Sequence, residues 1–111
     1  MNTKIKFTYN DTPYVLEYNR YAIKTMEANG FSSSEFQKKP MTNLELAFKG
    51  LFIKNHARTS EKLIDEIYDN FKDKDKLIEA IGKMINECYE SLVNEGNLNW
   101  DIEEITPTSK K

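Results

Sequence analysis

The chain of 111 residues reads as an α+β domain: an N-terminal β-hairpin packed with about four helices. Three observations lead there. Residues 4–18 alternate apolar and polar side chains, the period of a half-buried strand. Residues 44–92 carry apolar stripes at i, i+3, i+4 and i+7, the period of helices with one buried face. Finally, "LNWDIEEI" near the C-terminus returns to alternation. It reads either as a last strand joining the hairpin or as an edge strand open to a partner.

The first strand covers residues 4–9, with Ile5, Phe7 and Tyr9 on one face and Lys4, Lys6 and Thr8 on the other. Asn10, Asp11 and Pro13 are turn formers, and "YVLEY" resumes the strand pattern through residue 18. Asn19 is placed to cap a short helix, "RYAIKTMEANG", that Gly30 terminates. "FSSSEFQKKP" follows as a loop, with Phe31 and Phe36 as candidates to pin it to the core. Thr42 or Asn43 then caps a second helix, "LELAFKGLFIKNHA", and Thr42 with Glu45 has capping-box spacing. Its stripe is Leu44, Ala47, Phe48, Leu51 and Phe52. Ser60 opens a third helix with Leu63, Ile64, Ile67, Tyr68 and Phe71 inward. Asp73 or Asp75 opens a fourth that runs to Glu95, with a stripe from Leu77 through Cys88 to Leu92. Residues 1–105 form one domain and residues 106–111 a disordered tail.

Composition narrows the function. Sixteen Lys plus Arg face eighteen Asp plus Glu, a net charge of −2, so bulk electrostatics do not favour nucleic acid. No stretch approaches the ~18 apolar residues of a membrane span, and the N-terminus lacks a signal-peptide core. The single cysteine, Cys88, suits a reducing compartment. Together these features point to a soluble intracellular protein without membrane or nucleic-acid partners.

The residues do not assemble an evident catalytic constellation. His56 is the only histidine. A nucleophile needs an activating base and the base an orienting group, and Cys88 sits in an apolar stripe where a thiol acts as a small hydrophobe. One His and one Cys fall short of a zinc site. "DKDKLIEAIGK" lacks the order of a calcium loop, and the four glycines form no phosphate-binding loop. No catalytic, metal or cofactor-binding residue is therefore expected, and no cofactor. His56 reads as the polar end of the second helix, where a positive charge meets free carbonyls favourably. The apolar arc of that helix is wider than one core face needs once Ile53 joins Phe48 and Phe52. That breadth makes Phe48, Phe52 and Ile53 candidates for contact with a partner, together with Phe31 and Trp100.

The order of these signals resembles phage tail assembly chaperones from siphophages of Gram-positive bacteria. "YVLEYNRYAIKTMEANGF" is similar to the start of that family, which opens with a short hairpin. "LELAFKGLFIKNHARTSEKLIDEIYDNFKDKDKLIEAIGKMINECYESL" looks like its central helices, and "GNLNWDIEE" like its closing stretch. The likeness covers most of residues 4–104 and rests on order and spacing. It departs at "HART", where the family pattern has His followed by Pro. The resemblance implies a non-enzymatic chaperone that binds the tape-measure protein and keeps it soluble until the tail tube assembles. It further implies homo-oligomers, a frameshift-extended form of the chain as a partner, and the bacterial host cytoplasm rather than the mature virion. Two rivals are a small DNA-binding regulatory protein built on the second and third helices and a hydrolase using His56 with a carboxylate.

Overall fold

A computed structural model describes residues 3–35 and 38–103. Phe36, the end of the expected domain at residue 105 and the expected tail at 106–111 lie outside the described residues. The fold is α+β, with an antiparallel hairpin of β1 (Ile5–Tyr9) and β2 (Thr12–Leu16) followed by four helices. These are α1 (Arg20–Ala28), α2 (Pro40–Gly50), α3 (Glu61–Asn70) and α4 (Lys74–Glu90), with a 3-10 turn at Ser33–Glu35.

The hairpin turns on two residues, Asn10 and Asp11, both at positive φ (48° and 64°). A two-residue turn with both φ positive matches the twist of the flanking strands, and Asn and Asp tolerate that region best after glycine. Ile5 therefore faces Leu16, Phe7 faces Tyr14 and Tyr9 faces Thr12. The core lies between the hairpin and the helices. Leu16, Ala22, Met26, Ala47, Phe48, Leu51, Phe52, Ile67, Ile81 and Met84 are all buried.

α1 begins as the sequence indicates: the Asn19 side chain accepts from the Ala22 N–H at 2.7 Å. So does α3, where Ser60 Oγ accepts from the Leu63 N–H. α2 differs. It starts at Pro40, with no side-chain cap, because Pro is pre-set for a helix's first turn and needs no N–H partner there. Asn43 is inside the helix and buried. Its Oδ1 accepts from Ser32 N–H and its Nδ2 donates to the Lys39 carbonyl, both at 2.9 Å, so it ties the preceding loop to α2. α2 ends at Gly50, short of Ala57. Leu51 N–H turns to the Phe48 carbonyl, and the buried Tyr18 hydroxyl donates to the Ala47 carbonyl at 2.5 Å. Gly50 also sits where α1 and α2 touch, and a Cβ there would fall 2.2 Å from Met26 Sδ.

α4 stops at Glu90 rather than Glu95. Leu92 is 59% exposed and leaves the core stripe, because turns at Ser91–Val93 rotate it off the helix face. "LNWDIEE" forms no strand over its described residues, and every residue from Leu92 to Glu103 is exposed.

Candidate functional site

The width of the α2 apolar arc has an internal explanation. Five rings form a closed circuit: Phe7 stacks on Tyr14 at 5.1 Å, Tyr14 meets Phe52, Phe52 meets Phe48, Phe48 meets Phe71, and Phe71 returns to Phe7. Edge-to-face pairs of this kind add to plain area burial. α2 thus packs on the end of α3 through Phe48, and the turn that follows it reaches the hairpin through Phe52. Phe48, Phe52 and Phe31 are each under 5% exposed and pack within the chain's own core, Phe48 also lining the groove described below. Ile53 is half-buried against the same core. Of the five expected contact residues, Trp100 alone is freely exposed, at 75%.

His56 also has a different task from the one its sequence position suggests. Its Nε2 accepts the Val15 N–H at 3.1 Å, and its ring lies 4.9 Å from that of Tyr14. The ring therefore serves the strand as a hydrogen-bond acceptor. The neighbouring Asn55 completes the bridge: its Nδ2 donates to the Val15 carbonyl at 3.1 Å and to Glu17 at 2.9 Å. Glu17 is buried, and Lys54 sits 3.0 Å from it. The Asn55 and Lys54 hydrogen bonds hold the Glu17 carboxyl below its ordinary range against the opposing effect of burial. "KNH" at 54–56 is therefore a fastener between the end of α2 and the hairpin.

Cys88 is half-buried, and burial pushes its thiol up, away from the reactive thiolate. Among the described residues no group of three or more His, Cys, Asp or Glu side chains could hold a metal ion. Nor is any helix of those residues long and apolar enough to cross a membrane.

Two exposed features remain. The first is an open groove between α2 and α3. Met41, Leu44, Phe48, Ile64 and Tyr68 line it, and Met41 is 85% exposed at its mouth. Glu45, Lys49, Asp65 and Asp69 form its rim. Lys49 is held by Glu45 and Glu61, each at 3.3 Å, so the rim is acidic on balance. Met41 was hidden from sequence reasoning because Pro40 looked like the end of a loop and not the start of a helix. The second feature is the row Leu98, Trp100 and Ile102, each at least 70% exposed.

The arrangement defines a small hairpin-and-helix α+β domain with an apolar groove. Its sequence places it in a known group: the chain belongs to the family described as a domain of unknown function (DUF5055), matched over residues 1–106. No curated protein and no solved structure matches it.

Proposed function

We propose that the chain is a phage tail assembly chaperone. It binds the tape-measure protein in the host cytoplasm and keeps it soluble until the tail tube assembles. The observation that carries this reading is the α2–α3 groove, an open apolar channel with a polar rim. Such a groove accepts the apolar stripe of an amphipathic helix. A tape-measure protein is a long helical chain with such stripes, and the resemblance over residues 4–104 supports it as the occupant. The acidic rim suits a partner helix with lysines beside its apolar face.

The DNA-binding alternative draws no support from α3. Its exposed positions include Glu61, Asp65, Glu66 and Asp69, which repel phosphate. The test is co-expression with the tape-measure protein of the same genome. Co-purification and a gain in the soluble fraction are expected, and both should weaken with Met41→Glu, which touches an exposed position. If the tape-measure protein neither co-purifies nor gains solubility, the reading fails.

A further inference from the structure

The two edges of the hairpin are not equivalent. On the outer side of β2, the Val15 N–H goes to His56 and the Val15 carbonyl receives Asn55. Val15 therefore points its backbone groups away from β1. In an antiparallel ladder the residue opposite does the same, so Lys6 turns its N–H and C=O outward on the free side of β1. Thr8, two residues on and opposite Pro13, does so too. No other described residue hydrogen-bonds those backbone groups. One edge of the sheet is closed by side chains and the other is open.

The same molecule carries a strand pattern with no strand to pair with, in Leu98, Trp100 and Ile102. We propose that residues 98–103 of one copy add to the open β1 edge of a second copy as a third, antiparallel strand. One register satisfies every position. With Trp100 opposite Phe7, Leu98 meets Tyr9 and Ile102 meets Ile5 on the apolar face. On the other face Asn99 meets Thr8, Asp101 meets Lys6 and Glu103 meets Lys4. Lys6 forms no ion pair among the described residues. Lys4 shares Glu17 with Lys54, at 4.0 and 3.0 Å, which leaves one cation in excess for Glu103. A parallel arrangement with the same apolar pairs would set both lysines beside asparagines and leave the charges unmatched. Beneath the β1 edge lie shallow apolar depressions floored by Ile67, Phe71 and Leu77, with Lys72 on their rims. They give Trp100 and Ile102 somewhere to settle.

The strand comes from another copy because its own cannot reach. Thr3 holds Glu87, so α4 ends beside the start of β1, while the register needs residue 98 at Tyr9, the far end. That span is roughly 20 Å at about 3.3 Å per residue. Ser91, Leu92 and Val93 are fixed in turns on α4, so the five steps from Val93 to Leu98 must cover it, and fully extended they reach only about 17 Å.

This interface uses none of the residues of the α2–α3 groove, so self-association and tape-measure binding can fail separately. The test uses the full chain, whose single tryptophan, Trp100, reports the contact. Sedimentation and tryptophan emission are followed over a concentration series. Association accompanied by a blue shift is expected. Trp100→Ala with Ile102→Ala should leave a monomer of unchanged helicity. Lys6→Glu should weaken association at least tenfold, and Asp101→Lys in the same chain should restore it. Four results would overturn the proposal. They are a monomer with solvent-exposed emission throughout, a monomer with blue-shifted emission (the strand on its own hairpin), association that survives the double alanine variant, and no restoration by Asp101→Lys.

Discussion

Replacing His56 with alanine isolates the bridge between α2 and the hairpin. The substitution removes the acceptor of the Val15 N–H and the ring contacts with Tyr14 and Phe52. Val15 is half-buried, so its amide regains water only in part, and the lost bond is worth about 1 kcal/mol. Losing the ring against two aromatic neighbours adds about another 1 kcal/mol. The expected loss is therefore about 2 kcal/mol, a fall in Tm of roughly 10 °C for a domain of this size. Urea unfolding followed by far-ultraviolet circular dichroism measures the first quantity. Hydrogen exchange of the Val15 amide supplies an independent check, since the bond predicts that this amide loses protection while Phe7 and Tyr14 change less. A stability within about 0.5 kcal/mol of the parent, the scatter of neutral surface changes, would refute the bridge. An unchanged Val15 exchange rate would refute it equally.

Gly50→Ala forces a Cβ onto Met26 at the α1–α2 contact and should destabilise by about 1–3 kcal/mol, the usual penalty of overpacking; Met26→Ala in the same chain should relieve part of it. Asn43→Ala leaves the Ser32 N–H without its acceptor and should cost about 1–3 kcal/mol, read as a lowered urea midpoint with an unchanged slope. The Glu17 carboxyl is held below its ordinary value of 4.5, so it contributes stability above that pH and loses it as pH falls toward the lowered value. Glu17→Gln should flatten that acid limb of a stability–pH profile, and an identical limb would remove Glu17 as its source.

The alternation of residues 4–18 and the stripes of α2, α3 and α4 made the fold class legible, as did the Asn19 and Ser60 caps. Boundaries set by tertiary contacts were not. Thr42 and Glu45 look like a capping box, yet Pro40 starts the helix one turn earlier because Asn43 is drawn inward to hold Ser32. Phe48 and Phe52 looked surplus because a sequence cannot show that α2 ends between them, leaving Phe48 to the end of α3 and Phe52 to the hairpin in one ring circuit. His56 looked like a helix end, since its partner, Val15, lies 41 residues away in sequence. The groove depends on Met41, whose exposure follows from where α2 begins.

The side chains of His56 and Asn55 set the valence of the sheet. A two-stranded ribbon with both margins free can be sandwiched between neighbours and knit copies sideways without limit, the geometry of fibrils. With Val15 occupied from within, each hairpin has a single vacancy. Every molecule can then host one visiting strand and lend one, a stoichiometry that ends in pairs, rings or single files and never in an expanding mat.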